Sequence, residues 1–461
     1  MRIASALLAV LLMAGCSNNK APDVPSTPTG PSTVAKDSLA AFSSAATDPE
    51  GDSIRIRFCW GDSDTSAWSE QVASGDTVTM TYAWTAVAAC SVRAQVKDVH
   101  EVLSQWSSAL GVNVVAFSIV SFGGSINDHA NSVQPTPDGG FIIVGGTNSW
   151  GAGYDDVWLV KTDSAGNKLW DKVFGGAEFD DGNSVRPTAD GGYIATGALG
   201  GDFWLIRTDG SGNKLWDKTY GWEMGNAVLT TADGGFVAAG SDTGTEGAAR
   251  LLKVDADGNV VWDRVYDSPF TENASDLQPT ADGGFIMTGY TEHEVGGNTD
   301  IWLLRADSAG NELWQTSFGH GWMDYGRSVW QTSDGGYVIA GEHSDGTYYG
   351  ASLIKTNADG NEIWENVFDK SRGDEGWNSV LQAADGGYVV AGYATLSSSG
   401  AHSMSVAKTD ANGNEVWYWT FAGYEAKAVR QMADGGYIIV GSGPDSTGQG
   451  QDFWLVRFYG P

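Results

Sequence analysis

The chain has 461 residues, which is enough for two or three ordinary domains or for one large β-propeller beside a smaller domain. Apolar residues make up 41% of it, so a sizeable core is possible and global disorder is excluded. The 57 acidic residues outnumber the 26 Lys and Arg and give a net charge of −31, which repels phosphate backbones and excludes nucleic acid as a partner. The 63 glycines and 20 tryptophans indicate many short strands joined by tight turns.

The N-terminus has the pattern of an export signal. Arg2 precedes an apolar run over residues 3–13, which is too short to span about 30 Å of hydrocarbon but suits a signal peptide. The run ends in Met-Ala-Gly-Cys at residues 13–16, which resembles a bacterial lipobox, with Met13 where Leu is usual. The resemblance implies a signal peptide at 1–15 and a diacylglycerol on Cys16. The alternative is an ordinary secretory signal with an incidental cysteine.

Residues 16–33 are rich in Pro, Ser and Thr and are predicted to be a flexible tether. Together with lipidation, this predicts a monomer anchored to the membrane in the cell envelope, at the outer membrane, the cell surface or the periplasmic face. Once Cys16 is lipidated, Cys59 and Cys90 remain as a pair in an oxidising compartment. We expect a disulfide between them, worth roughly 3 to 4 kcal/mol for a loop of about 30 residues. Two buried free thiols are the alternative.

Residues 34–115 show short alternating strands separated by turn clusters, which predicts a small β-sandwich of immunoglobulin type. The segments at 47–52 (TDPEGD), 60–63 (WGDS) and 104–107 (SQWS) resemble a PKD domain. The resemblance implies a spacer or adhesion module without a catalytic role. A Ca²⁺ ion held by Asp48, Glu50 and Asp52 is conceivable, but carboxylates in such a turn are more often solvated, so no cofactor is predicted.

From residue 118 onward the chain repeats one unit about every 49 residues, and this repeat determines which fold the segment can adopt. Each unit carries four apolar runs, which is typical of a propeller blade. The marker of each unit is Asp-Gly-Gly followed by Phe or Tyr, which begins at Asp138, Asp190, Asp233, Asp282, Asp334, Asp385 and Asp434.

A second motif, Gly-Asn-x-x-Trp, occurs six times, and the last unit ends before reaching it. An unassigned apolar segment at 116–122 matches the missing strand, so we expect it to complete the last blade and leave no open sheet edge. The predicted fold is therefore all-β, with a seven-bladed propeller over residues 116–461. The motifs resemble the quinoprotein-like (PQQ-like) propeller superfamily, whose dehydrogenases typically have eight blades and in several cases a vicinal cysteine pair that this segment lacks.

Two further positions recur, one basic and one acidic. We expect the basic and acidic residues to form ion pairs within or between blades that hold the propeller closed. The alternative is that the acids line the axis and bind a cation. The basic residues, in the third strand of each unit, are Lys161, Arg207, Lys253, Arg305, Lys355, Lys408 and Arg457. The acids, before the first strand, are Asp128, Asp180, Glu223, Glu272, Asp324 and Glu375, with Tyr424 as the exception.

The loops opposite the two conserved turns vary in length and composition, so a binding site is expected on that face. Exposed aromatic rings there suit sugar stacking or a peptide contact, although the same rings could simply pack the loops onto the blades. The candidate ligand-binding residues are Trp150, Tyr154, Trp222, Trp322, Tyr325, Trp377 and Tyr424.

The favoured hypothesis is a non-enzymatic surface or periplasmic lipoprotein that presents this variable face to a glycan or a protein. One alternative is a polysaccharide-active or redox enzyme with Asp180, Asp181 and Asp324 near the axis. Another is a periplasmic assembly scaffold. The histidines lack a close ligand spacing, and no zinc site or catalytic residue is predicted.

Overall fold

The structure is a computed structural model that describes residues 19–221, 224–242, 247–266, 271–292, 298–319, 322–344, 346–368, 373–396, 401–445, 447–448 and 450–459. The predicted signal peptide, Cys16 and Trp222 lie outside these residues. Every regular element is a β-strand. Within the described ranges there is no helix with the length and apolarity needed to cross a membrane. The chain divides into two compact units, with the boundary between Ala116 and Phe117.

The first unit is a small β-structure with an aromatic core. Trp60 stacks on Tyr82 at 4.8 Å and on Phe58 at 5.4 Å, and Trp84 meets Trp60 edge-on. Strand β2 pairs with β4, β3 with β5, β5 with β6, and β1 with β6 in parallel. The strands are β1 (Thr33–Ala35), β2 (Ala40–Ala45), β3 (Ile54–Cys59), β4 (Thr77–Tyr82), β5 (Ala88–Asp98) and β6 (Leu110–Phe122).

The predicted disulfide is wrong, because Cys59 and Cys90 are both free thiols. Cys59 ends β3, where its partner across the ladder is Arg93. Cys90 lies three residues away from Arg93 along β5, a separation of about 10 Å at roughly 3.3 Å per residue, whereas a disulfide needs Cα atoms within about 7 Å. The unit is therefore held together by its aromatic core.

The Asp48 turn is organised by one oxygen of its own carboxylate. Asp48 Oδ1 accepts hydrogen bonds from the backbone N–H groups of Glu50 and Asp52, both at 3.0 Å. The described residues contain no group of three or more His, Cys, Asp or Glu side chains placed to hold a metal ion. The acidic run is thus explained as a local turn.

The second unit is a β-propeller whose six self-contained blades are four-stranded antiparallel sheets of consecutive strands. Along the chain, the strands of the first three blades are β7 (Asp128–Pro135), β8 (Phe141–Thr147), β9 (Asp156–Thr162), β10 (Lys168–Phe174), β11 (Asp180–Pro187), β12 (Tyr193–Leu199), β13 (Asp202–Thr208), β14 (Lys214–Thr219), β15 (Met224–Thr230), β16 (Phe236–Asp242), β17 (Ala248–Val254) and β18 (Val260–Tyr266). Those of the next three are β19 (Thr271–Pro279), β20 (Phe285–Glu292), β21 (Thr299–Ala306), β22 (Glu312–Phe318), β23 (Tyr325–Gln331), β24 (Tyr337–Ser344), β25 (Tyr349–Thr356), β26 (Glu362–Phe368), β27 (Glu375–Gln382), β28 (Tyr388–Leu396), β29 (Ala401–Thr409) and β30 (Glu415–Ala422).

The sequence predicts seven blades, with the segment at 116–122 completing the last one, whereas the described residues form six four-stranded blades. The last repeat contributes three strands, β31 (Glu425–Gln431), β32 (Tyr437–Pro444) and β33 (Gln451–Tyr459). In the sheet order β33 is followed by β6. The last repeat is therefore joined by a strand from outside the repeat.

The first and last repeats pack together. Phe122, residues of β7–β9 and residues of β31–β33 form one hydrophobic cluster. At its centre Trp158 from β9 lies 4.5 Å from Phe453 of β33, measured between ring centroids. The two ends of the propeller are thus joined by buried apolar surface.

The repeated tryptophans link neighbouring blades. Trp170 packs against Tyr193 of the next blade at 5.8 Å, and the tryptophans at the same position in later blades repeat the contact. The ring lies over the glycine of the next blade's turn, where a Cβ on Gly212 would come within 2.6 Å of Trp170. Gly212 also has a positive φ of 77°. The turn of each Gly-Asn-x-x-Trp motif is thus the surface on which the tryptophan of the preceding blade packs.

The basic residues of the third strands pair with the aspartates of the Asp-Gly-Gly turns, so the predicted pairing with the acids before the first strands is wrong. In the first blade Lys161 Nζ lies 2.8 Å from Asp138 Oδ2. The second glycine of the turn makes room for this pair, since a Cβ on Gly140 would lie 2.7 Å from Lys161 Nζ. The other pairs are Arg207–Asp190, Lys253–Asp233, Arg305–Asp282, Lys355–Asp334, Lys408–Asp385 and Arg457–Asp434.

Candidate ligand-binding site

The first strands of all the repeats surround an axial cavity of about 440 Å³. Each of these strands carries a β-bulge at the same place, between the second and fourth residues after the acidic position. The bulge leaves one residue unpaired in the ladder and re-aims its side chain. The residues at this bulge position are Asn131, Asn183, Asn226, Ser275, Arg327, Asn378 and Lys427.

The four bulge asparagines link adjacent blades. Their Nδ2 groups donate to a backbone carbonyl of the next blade, for example from Asn183 to Gly225 O at 3.1 Å and from Asn226 to Ala274 O at 2.8 Å. Asn131 and Asn378 make the same contact. The hydrogen bonds leave amide oxygens beside the cavity.

The acids before the first strands bind the loops of their own blade, which corrects both interpretations of this set. Asp180 is fully buried and accepts from the backbone N–H groups of Gly176 at 2.6 Å and Gly200 at 2.7 Å. Asp324 is 1% exposed and accepts from the Ser344 N–H at 2.9 Å. These carboxylates connect the loop before the first strand to the loop after the second. Glu223 lies outside the described residues.

One carboxylate of the enzyme hypothesis, Asp181, forms an inter-blade pair with a histidine. His129 Nε2 of the first blade lies 3.2 Å from both Asp181 oxygens. Burial opposes the charge on His129, but the hydrogen bond and the charge of Asp181, together with the charge of Asp155, raise its pKa above the ordinary value, while Lys427 opposes this. All three carboxylates of the enzyme hypothesis are thus engaged in structural contacts.

A pH-dependent contribution to stability follows from this pair. Because the folded pKa of His129 is raised, its stabilisation is complete below the unfolded pKa of about 6.5 and is lost as the pH rises through the folded value. His129→Gln should therefore lower the free energy of unfolding on the order of 1 kcal/mol at pH 5.5, and by less at pH 8.5. Denaturant unfolding at both pH values checks this.

The control is the same substitution in an Asp181→Asn background, where the effect of His129→Gln should be equal at both pH values. An equal effect at both pH values in the otherwise unaltered protein would contradict the assignment.

An aromatic cluster lies on the variable face beside the cavity. We use this name for Tyr290, Trp322, Met323, Tyr325 and Tyr349. The ring centroids of Tyr290 and Tyr325 are 5.2 Å apart and those of Tyr325 and Tyr349 are 6.3 Å apart. The hydroxyl groups of Tyr325 and Tyr349 both point at the sulfur of Met323, at 3.4 and 3.8 Å. Trp322 is 53% exposed and Met323 39%.

The cluster is charged on one side. The Cζ atom of Arg327 lies 5.0 Å from the centre of the Tyr325 ring, and its guanidinium bonds to both oxygens of Glu342 at 3.2 and 3.1 Å. Tyr290 and Arg327 also line the axial cavity. The arrangement offers exposed ring faces next to fixed polar groups at the mouth of a channel.

The other predicted aromatics have different environments. Trp377 is 1% exposed and packs against Phe368 and Tyr418 in a core cluster, so its interpretation as a loop residue on the surface is wrong. Trp150 is 40% exposed and rests on Trp158 at 4.8 Å. Tyr154 is 75% exposed. Tyr424 is half-buried.

The sequence did not single out Tyr290, Tyr349 or the two cavity arginines, Arg186 and Arg430, because all four lie in strands and not in the variable loops. Aligning the repeats would have shown Arg186 and Arg430 at one position, six residues after the acidic position of each unit. It would also have placed Trp377 in a first strand, where the other repeats have Gly or Ala.

Comparison with known proteins gives no identification of the whole chain. No family model and no curated protein matches. Over 21% of its length the chain is similar to 97% of the PKD domain of an M14-like peptidase from a Thermoplasmatales archaeon, at 32% identity and a TM-score of 0.20. Over 74% it is similar to 95% of a luciferin-regenerating enzyme, at 11% identity and a TM-score of 0.38. Over 70% it is similar to 88% of a mutant Synechocystis apocarotenoid oxygenase, at 10% identity and a TM-score of 0.41. At these scores the likenesses carry no information on activity.

Proposed function

We propose that this protein is an exported, lipid-anchored binding protein whose propeller presents its variable face to a glycan. In this proposal Cys16 carries the lipid, residues 16–33 are a tether, and the first unit is a PKD-like spacer. The second half of β6 serves with β31–β33 as a seventh blade. The protein acts as a monomer at the cell envelope.

The observation that carries the proposal is the aromatic cluster. Exposed apolar rings on a soluble protein usually mark a contact site, and Trp322 keeps half of its surface exposed although its backbone is fixed. The Trp322 carbonyl accepts from the Thr299 N–H at 3.2 Å, and the backbone N–H of Asp324, two residues later, donates to the Thr299 carbonyl at 2.8 Å. A backbone that is already ordered removes part of the entropy cost of binding.

The polar groups around the rings favour a sugar over an apolar ligand. Stacking on Tyr or Trp covers the C–H face of a sugar ring, while its hydroxyls need hydrogen-bond partners at the edge. Arg327 and Glu342 supply a donor and an acceptor on one side, and the amide oxygens of the axial cavity supply acceptors on the other. A protein ligand would use the same rings, so the experiment has to distinguish the two.

The test is binding of the purified protein to an array of immobilised neutral and acidic polysaccharides. For the polysaccharide that binds, the double variant Trp322→Ala/Tyr325→Ala should weaken binding at least tenfold, because it removes both stacking surfaces. The matched control is Phe179→Ala/Ile363→Ala, which removes two exposed apolar side chains outside the cluster and should leave binding unchanged. Equal weakening by both double variants would contradict the assignment to the cluster. An array without any binding would contradict a glycan ligand.

A further inference from the structure

Two arginines of the axial cavity have no carboxylate partner in the described part of the chain. Arg186 of β11 and Arg430 of β31 occupy the same position in their repeats, and both line the cavity. Arg186 Nε donates to the Val228 carbonyl at 3.1 Å, and no protein acceptor is found for its two Nη groups among the described residues. Arg430 donates through Nε to Gln134 Oε1 at 3.4 Å and through Nη1 to the Val429 carbonyl at 2.8 Å. Both guanidinium groups therefore keep donors for a ligand.

The charge around these arginines is not balanced by the cavity wall. The lining contains one carboxylate, Asp276, against four cationic side chains. Asp276 is already occupied, since it accepts from the N–H groups of Leu277 at 2.8 Å and Val329 at 3.0 Å and from Ser328 Oγ at 3.0 Å. The other two cations, Arg327 and Lys427, have their own acids, Glu342 and Glu425.

Burying the two guanidinium groups without a counterion costs free energy. Desolvation lowers the pKa of Arg186 to about 10, and the charge of Arg430 adds to this effect. Desolvation also lowers the pKa of Arg430, and in both cases the charge of Asp276 opposes the shift without cancelling it. Both groups remain protonated at neutral pH. Two like charges in a partly dehydrated channel are stabilised by an anion placed between them.

A third donor lies next to Arg430, just behind the cavity wall. Gln134 is 7% exposed, and because its Oε1 accepts from Arg430, its Nε2 is buried without a hydrogen-bond partner. An orphaned buried N–H costs about 1 to 3 kcal/mol, and a ligand acceptor could remove that cost. This part of the cavity wall is rich in unsatisfied donors.

Three residues earlier along the first strands, the cavity wall is rich in acceptors. The bulge asparagines use their Nδ2 groups to bind the next blade, and no donor is found for the Oδ1 atoms of Asn183, Asn226 and Asn378 among the described residues. Hydroxyl groups are the natural donors to such oxygens. At about 440 Å³ the cavity lies within the usual range for small-ligand sites.

We propose that the axial cavity binds a sugar acid, with its carboxylate between Arg186 and Arg430 and its hydroxyl groups directed to the asparagine oxygens. A carboxylate matches the planar, paired donors of a guanidinium group, and a polyhydroxylated body matches the asparagine acceptors. The cavity shares Tyr290 with the aromatic cluster, but Arg186 and Arg430 lie outside the cluster, so anion binding by these two arginines can be tested apart from the function proposed above.

The test is calorimetric titration of the full-length protein with D-glucuronate, D-galacturonate and D-mannuronate, each compared with its neutral sugar. At least one uronate should bind at millimolar concentration or below, at least tenfold more tightly than its neutral counterpart. Arg186→Gln and Arg430→Gln should each weaken that binding at least tenfold. Arg93→Gln, which removes an exposed arginine of the first unit, should not change it.

Further variants separate binding from folding and from the proposed function. Arg186→Lys keeps the charge but not the planar donor pair, so it should fold and bind uronate with intermediate affinity. Trp322→Ala/Tyr325→Ala should retain uronate binding. Absence of uronate binding, equal affinity for the neutral sugar, or binding that survives both glutamine substitutions would overturn the proposal. Tighter binding of inorganic phosphate than of any uronate would overturn the assignment to a sugar acid.

Discussion

Replacing Trp158 with alanine should lower the free energy of unfolding by about 3 to 5 kcal/mol. Trp158 is fully buried, its Nε1 donates to Asp171 Oδ2 at 3.1 Å, and its ring lies 4.5 Å from Phe453 in the last repeat. The substitution therefore removes core volume at the point where the first and last repeats meet. Equilibrium unfolding in denaturant measures the loss, provided that the transition is two-state.

A double-mutant cycle shows whether this contact joins the two ends of the propeller. Trp158→Ala and Phe453→Ala should be coupled by about 0.5 to 1.5 kcal/mol, as expected for a buried aromatic pair. Phe179→Ala removes a ring that is 49% exposed, and it should cost less than about 0.5 kcal/mol. Strict additivity of the two core substitutions would show that the first and last repeats are not in contact in solution.

Acid should destabilise the propeller steeply between about pH 4 and pH 2, because every repeat contains the same ion pair. In the first blade, hydrogen bonds from Lys161 and Thr136 lower the pKa of Asp138 to about 2. A lowered carboxyl pKa gives stability that is present above the unfolded value of about 3.9 and is lost as the pH falls through the folded value. The pKa values of the other six turn aspartates are lowered as well, so their losses fall in the same direction.

The variant Asp138→Asn isolates one of these pairs. The basic partner is the buried member, since the Lys161 side chain is 4% exposed and that of Asp138 is 58% exposed. Solvent screening of the aspartate limits the cost of Asp138→Asn to about 1 to 2 kcal/mol at pH 6. The difference from the unaltered protein should shrink as the pH falls towards 2 and vanish only below it. Asp202→Asn, at an exposed acid, is the control and should change little at either pH. A difference that persists at low pH would contradict the ion-pair account.

The architecture was accessible from the sequence because the repeats are strongly periodic and their turns have simple chemistry. The Asp-Gly-Gly and Gly-Asn-x-x-Trp motifs marked the strands and showed that the segment at 116–122 had no place within the first repeat. The sequence did not show which acid pairs with each basic residue. Lys161 could have met Asp128 or Asp138, and only the geometry of the turn, with Gly140 beneath the ammonium group, decides for Asp138.

The aromatic residues of the candidate site were predicted only in part, because a departure from the repeat pattern does not show whether a side chain is exposed or buried. Trp322 and Tyr325 were found because they stand out from the repeat pattern, but Trp377 stands out equally and is buried, because an aromatic can replace a small residue between two blades. The disulfide failed because cysteine counting ignores register, which places Cys59 opposite Arg93 and not opposite Cys90. The number of cysteines shows which thiols are available for a disulfide. Whether two of them meet depends on the register of the paired strands.

Closure of the propeller depends on β6 pairing with β33 at the edge of the last repeat. Amide hydrogen exchange measured by mass spectrometry on peptides covering residues 117–122 tests this pairing directly. The account predicts that these amides are protected to a degree comparable to those of β8 and β12, which are paired on both sides. Rapid exchange at 117–122, while β5 and the propeller strands stay protected, would show that the last repeat keeps an open edge and would contradict the account.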